Sequence, residues 1–82
     1  MNFIKEKDRI YIKNDDDKVI AEINFKKEGD VYNIYHTFVN ESLRGKGIAS
    51  KLVKEAVNYI KNKNGKVTAS CSYANKWLEK NE

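Results

Sequence analysis

The sequence predicts a small α+β fold, in which N-terminal antiparallel strands form a mixed sheet, one βαβ unit contains a long central helix, and a short helix ends the chain. Two observations lead to this class. Apolar residues alternate with polar ones through much of the first half, and from Gly47 their spacing becomes helical. The 82 residues suffice for one domain, residues 1–82, with a single modest core.

The first half contains the predicted antiparallel strands. Residues 3–13 alternate, with a charged interruption that is either a turn between two short strands or a bulge in one. A polar turn at 14–17 and a second strand at 19–25 complete a hairpin. After a turn at 28–30, residues 31–39 are rich in aromatic and β-branched side chains, so we expect them to form the central strand.

The second half contains the βαβ unit. An amphipathic helix begins after Gly47 and ends near residues 62–65, where Gly65 is expected to adopt the left-handed conformation. A short strand at 66–71 follows, and it should be parallel to the strand before the helix. Residues 73–80 are expected to form the last helix and to bury Trp77 and Leu78.

Composition narrows the partners and the compartment. The net charge of +4 favours anionic partners such as a nucleotide cofactor, nucleic acid or an acidic protein surface. Support for nucleic acid is thin, and a monomer or weak dimer is expected. Charged residues interrupt every apolar run, so neither a signal peptide nor a membrane span is predicted. One cysteine and one histidine predict no metal site, and the unpaired thiol suits the cytoplasm.

The junction between the predicted strand and helix, residues 39–49, is the segment that says most about function. The first turn of a helix has N–H groups without intrahelical partners and partial positive charge, which together bind phosphate. Two glycines let the backbone approach a ligand, and Arg44 and Lys46 add full positive charges. The segment lacks the Walker pattern and the three-glycine dinucleotide fingerprint. The alternative is a loop whose glycines only permit a tight turn.

The stretch Arg44-Gly45-Lys46-Gly47-Ile48-Ala49 strongly resembles the Arg/Gln-x-x-Gly-x-Gly/Ala signature of the GCN5-related N-acetyltransferase superfamily. Two further blocks, residues 35–39 and 71–78, are similar to the minimal, single-domain YjdJ-type branch. The resemblance implies an acetyl-coenzyme A-dependent N-acetyltransferase with an unknown amine acceptor, which is a small molecule or a protein. One departure is that longer members have helices between their first two strands, where this chain has a turn.

The resemblance also implies where acetyl-coenzyme A lies. Its pyrophosphate would bind the segment Arg44, Gly45, Lys46, Gly47, Ile48 and Ala49, and its pantetheine arm would run beside Phe38 and Val39. Asn75 and Lys76 begin the last helix and are candidates for contacting the pantetheine or the adenine-side phosphates. Exposed helix residues explain those two equally well. The alternative function is a non-catalytic acyl-coenzyme A-binding module.

Three residues are candidates for catalysis. His36 is the only histidine, and imidazole is a side chain type that commonly transfers protons near neutral pH. It is expected to share a strand face with Ile34 and Phe38. Cys71 is a candidate nucleophile that accepts the acetyl group, provided that His36 or the helix start lowers its thiol pKa. Tyr73 is a candidate proton donor to the leaving thiolate. Each residue has a structural alternative, which is packing in or beside the core.

Overall fold

The structure, a computed structural model, describes residues 2–81 and confirms the predicted α+β class. The regular elements of this range are β1 Ile4–Glu6, β2 Arg9–Lys13, β3 Val19–Glu28, β4 Val31–Val39, a single 3-10 turn at Glu41–Leu43, α1 Ile48–Asn62, β5 Lys66–Ala69 and α2 Ser72–Asn81. None of the helices in this range is long and apolar enough to span a membrane.

One five-stranded sheet has the spatial order β1-β2-β3-β4-β5. The first four strands are antiparallel neighbours, and β4 and β5 are parallel, as the βαβ prediction requires. The interruption in the first segment is a turn, at residues 7–8, between two short strands. The expectation that residues 31–39 form the central strand is wrong, because β3 lies in the middle of the sheet and β4 lies between β3 and β5.

Both helices contribute to one core against one face of the sheet. The core includes Phe25 and Ile34 from the sheet, Leu52 and Ile60 from α1, and Ala74 from α2. Burying this apolar face is the main stabilising contribution available to so small a domain. No helix within residues 2–81 covers the other face, which we call the open face.

The last helix is less buried than predicted. Ala74 is its fully buried residue, whereas Trp77 and Leu78 are only partly buried. The indole Nε1–H of Trp77 donates a hydrogen bond to the Ser50 hydroxyl at 3.0 Å. This bond ties α2 to the start of α1 and keeps the polar edge of the indole near solvent.

A bulge in β4 decides which side chains lie on which face. Asn24 pairs with His36 and Phe25 pairs with Ile34, so Tyr35 is the extra residue. Paired residues share a face, so His36 lies on the open face and Ile34 in the core. The prediction that His36 shares a face with Ile34 is therefore wrong, because the extra residue reverses the alternation.

The end of α1 also differs from the prediction. Asn64, with a φ of 60°, adopts the left-handed conformation there, and Gly65 does not. Asparagine tolerates this conformation better than most residues. Gly65 is needed for a different reason, since a Cβ at this position would lie 2.6 Å from Cε1 of Tyr32 and 2.9 Å from Cγ2 of Ile60.

Candidate functional site

Strands β4 and β5 pair over only part of their length. Ile34 and Ala69 form the last pair, after which the Ile34 carbonyl accepts hydrogen bonds from the N–H groups of Ser70 and Cys71 at 3.0 and 3.2 Å. The chain then turns into α2, so the second half of β4 has no strand beside it on that edge. A gap therefore opens where the two parallel strands separate, which is the usual ligand crevice of such sheets.

Backbone polar groups of β4 face this gap. The N–H of Asn40 donates to the carbonyl of Ile20 in β3 at 2.8 Å. Because backbone groups alternate direction along a strand, the N–H and C=O groups of Thr37 and Val39 point away from β3 and toward the gap. By the same alternation, those of Phe38 point toward β3, where Phe38 pairs with Glu22.

A cavity of about 380 Å³ lies at the gap, and we call it the donor cavity. It is bounded by the end of β4, the loop that follows, the first turn of α1 and one residue of α2. Its lining residues are Thr37, Val39, Leu43, Arg44, Gly45, Gly47, Ile48, Ala49 and Tyr73. Five of the six residues in the predicted phosphate-binding segment are in this set, and Lys46 is not.

The loop before α1 leaves the helix without a side-chain cap. Gly45 and Gly47 have φ angles of 82° and 72°, which are left-handed conformations that favour glycine. Gly47 occupies the N-cap position and makes no side-chain capping bond. The first intrahelical bond is the one from the Lys51 N–H to the Gly47 carbonyl at 3.1 Å, so the N–H groups of residues 48–50 have no intrahelical acceptor.

The electrostatic field at this helix start is positive. The helix dipole places partial positive charge on the uncapped N–H groups, and Arg44 adds a full charge at the cavity wall. Throughout residues 2–81, no carboxylate forms an ion pair with Arg44 or Lys46. These donors suit the pyrophosphate of a coenzyme A-type ligand, and no atom occupies the space that a Cβ at Gly45 or Gly47 would enter.

Cys71 lies immediately before the first turn of α2, since its carbonyl accepts the Asn75 N–H at 2.9 Å. Its half-buried Sγ is 3.5 Å from Oγ1 of Thr37, which lines the donor cavity. Burial raises the pKa of the Cys71 thiol, but hydrogen bonds from the Ala74 amide, the Thr37 hydroxyl and the Tyr73 and Thr37 amides outweigh it. The net effect is a thiol pKa below its ordinary value, which favours the nucleophilic thiolate.

The other two catalytic candidates lie in different places. Tyr73 lines the donor cavity and is 42% exposed. His36 is exposed on the open face and does not line this cavity. The structure thus brings Cys71 and Tyr73 to the gap from the helix side and leaves His36 on the opposite side of the sheet.

Besides Lys46, three residues that were predicted to bind coenzyme A lie outside the lining set. Phe38 is 41% exposed on the open face. The Asn75 side chain is engaged elsewhere, since Nδ2 donates to the Ala69 carbonyl at 3.1 Å and so closes the end of β5. Lys76 is exposed and is not among the residues of this cavity.

Sequence reasoning missed Thr37 and Leu43. Thr37 lines the cavity and contacts Cys71, and Leu43 forms an apolar part of the cavity wall. Thr37 did stand within the block at residues 35–39 that carried the resemblance. Nothing in its local pattern indicated which face it occupies, because that depends on the bulge at Tyr35.

One family profile and several solved structures match this chain. The profile of a family described as GCN5-related N-acetyl-transferase matches residues 9–82. A solution structure of a GCN5-like N-acetyltransferase from Staphylococcus aureus is similar with 34% identity and a TM-score of 0.78, over 98% of this chain and 79% of that one. The search of curated proteins gave no match.

Two more distant structures share the fold. Ribosomal-protein-alanine N-acetyltransferase from Brucella melitensis has 17% identity and a TM-score of 0.69, over 88% of this chain and 60% of that one. An acetyl transferase from Pyrococcus furiosus has 22% identity and a TM-score of 0.67, over 89% and 56%. The chain belongs to the GCN5-related N-acetyltransferase family and is therefore an enzyme of the acyl-transfer class.

Proposed function

We propose that this enzyme transfers an acetyl group from acetyl-coenzyme A to an amine, and that Cys71 accepts the acetyl group on the way. The observation that carries the proposal is the donor cavity, where uncapped N–H groups of α1 and the unpaired edge of β4 meet beside a thiol of lowered pKa. An anionic pyrophosphate and an amide-containing arm are the two ligand parts that such surfaces recognise.

Different residues of the donor cavity would bind different parts of acetyl-coenzyme A. The N–H groups of Ile48 and Ala49 would hold the pyrophosphate, with the Arg44 guanidinium beside them. The Thr37 carbonyl and the N–H and C=O groups of Val39 would pair with the amides of the pantetheine arm as a further strand would. Bound acetyl-coenzyme A supplies a thioester, whose carbonyl carbon is open to nucleophilic attack.

The proposed reaction has two steps. The Cys71 thiolate forms a bond to the acetyl carbon, and the coenzyme A sulfur leaves with the electron pair of the broken C–S bond and takes a proton from Tyr73, which regains one from solvent. A neutral amine then attacks acetyl-Cys71, forms the amide, loses a proton and releases the thiolate. The amides of Tyr73 and Ala74 stabilise that thiolate as the leaving group.

The amine would approach from the open face. We expect the gap between β4 and β5 to be reached from the open face, because the helices pack on the other face of the sheet. His36 and Phe38 are exposed on the open face, so His36 would accept the proton of the attacking amine there. The connection between β1 and β2 is a turn at residues 7–8, so no helix in this connection covers that side.

The test is intact-protein mass spectrometry after incubation with acetyl-coenzyme A, together with a thermal shift on coenzyme A. We expect stabilisation by coenzyme A, a mass increase of one acetyl group in the wild type, and no increase in Cys71→Ala. Arg44→Gln should reduce the thermal shift, whereas Lys66→Gln, which removes the same charge at the far end of β5, should not.

Each remaining outcome has a distinct meaning. No stabilisation by coenzyme A would refute the donor assignment. Stabilisation without protein acetylation, but with thiol release when an amine is added, would replace the Cys71 route with direct transfer. Stabilisation with neither acetylation nor thiol release across a panel of amines would favour a non-catalytic acyl-coenzyme A-binding module.

A further inference from the structure

A second cavity lies toward the opposite end of the sheet. Its volume of about 490 Å³ falls within the range of ~300–1,000 Å³ typical of small-molecule sites. The β1–β2 turn, the last residues of β3, the first half of β4 and the C-terminal end of α1 form its walls. Tyr32 lies at this end of β4, and Val39, which lines the donor cavity, lies at the other end. A strand of that length spans roughly 23 Å. We call it the tyrosine cavity.

The walls of the tyrosine cavity are aromatic. Phe25 packs between Tyr32 and Tyr59, with ring centroids 6.1 and 5.7 Å away, which holds those rings in place. Tyr35, the unpaired residue of the bulge, also lines the cavity and is 53% exposed. A ring that is anchored in a strand and half exposed offers area on which a planar ligand can stack.

Positive charge surrounds these rings. One carboxylate, that of Asp8, lines the cavity with the four lysines Lys7, Lys26, Lys27 and Lys63. The Lys27 ammonium lies 5.8 Å from the centroid of the Tyr32 ring, and that of Lys63 lies 5.0 Å from the Tyr59 ring. No ion pair within residues 2–81 neutralises Lys27 or Lys63, so both ammonium groups remain available to an anion.

We infer that the tyrosine cavity binds a nucleotide, with the base stacked on Tyr35 and the phosphate beside Lys27 and Lys63. An inorganic anion alone would leave the aromatic wall uncovered, and an acidic peptide would bring charge without a planar ring. A nucleotide satisfies both features at once. The inference is independent of acetyl transfer, because none of the residues in this cavity lines the donor cavity.

The experiment is a titration of ¹⁵N-labelled protein with AMP at low salt, followed by NMR, with inorganic phosphate and tetraglutamate as comparison ligands. We expect AMP to shift the amide signals of residues 26, 27, 35 and 63 at concentrations where the comparison ligands do not. Tyr35→Ala should weaken AMP binding about five- to 150-fold. Lys63→Gln should weaken it and reduce its salt dependence, and Lys66→Gln, outside the cavity, should leave it unchanged.

A single-stranded oligonucleotide distinguishes the source of the nucleotide. An oligonucleotide that binds far more tightly than AMP, with the same shifted amides, would identify a nucleic-acid strand, and equal affinity would identify a free nucleotide. The inference is overturned if neither ligand shifts these amides at millimolar concentration, if the shifts fall in residues 47–50, if Tyr35→Ala binds AMP normally, or if tetraglutamate binds as well as AMP.

Discussion

The conformation of Gly47 allows a sharp test of the donor cavity. Gly47 has a φ of 72° and nothing within 4 Å of the position that a Cβ would take, and Gly29, in the turn between β3 and β4, has a φ of 62° and the same free space. Replacing either glycine with alanine therefore adds backbone strain of about 1 kcal/mol without a clash. In a domain of this size that strain lowers the Tm by about 4–8 °C in both variants.

The two variants should differ in how much coenzyme A stabilises them. At a concentration 100 times the wild-type Kd, the ligand stabilises the wild type and Gly29→Ala by about 2.7 kcal/mol. The methyl group of Gly47→Ala would stand where we propose that the pyrophosphate meets the helix start, and a tenfold loss of affinity would cut this stabilisation to about 1.4 kcal/mol. Differential scanning fluorimetry measures both quantities. Equal ligand-induced shifts in the two variants would refute the role of this helix start.

Three further expectations concern the thiol and the packing around it. Iodoacetamide labelling of Cys71 should reach half of its maximal rate at a lower pH in the folded protein than in urea, because the folded thiol has the lower pKa, and Thr37→Val should move that midpoint upward. An unchanged midpoint in Thr37→Val would contradict the contact. Gly65→Ala should cost about 1–3 kcal/mol in urea unfolding, because its Cβ would collide with Tyr32. Trp77→Phe should cost about 0.5–1.5 kcal/mol through its lost hydrogen bond, and unaltered stability would count against that bond.

Much of the fold could be predicted because its signals are local. The helical spacing after Gly47 persists over four turns, and α1 ends at Asn62 as predicted. The strand, helix and strand order then required β4 and β5 to be parallel, and they are. The phosphate-binding segment was visible for the same reason, since its glycines, its charges and the helix start are contiguous in the chain.

The candidate site was less predictable beyond that segment. Cys71, Thr37 and Tyr73 come from two separate parts of the chain, and their proximity depends on where β5 stops pairing with β4. The prediction of the face on which His36 lies was wrong because Tyr35 has no partner in β3. The alternation of faces along β4 continues only if every residue has such a partner.

The sequence by itself determined that a helix begins just after Gly47, that amides and positive charge meet there, and that the chain carries the signature of an acetyltransferase. The tertiary structure alone decided which residues share a face and which backbone groups remain unpaired. The physical reason is that a helix start depends on neighbours in sequence, whereas strand register and the end of a strand pair depend on contacts between distant segments. For that reason the thiol's hydrogen bonds, the gap beside β4 and the tyrosine cavity appear only in the folded chain.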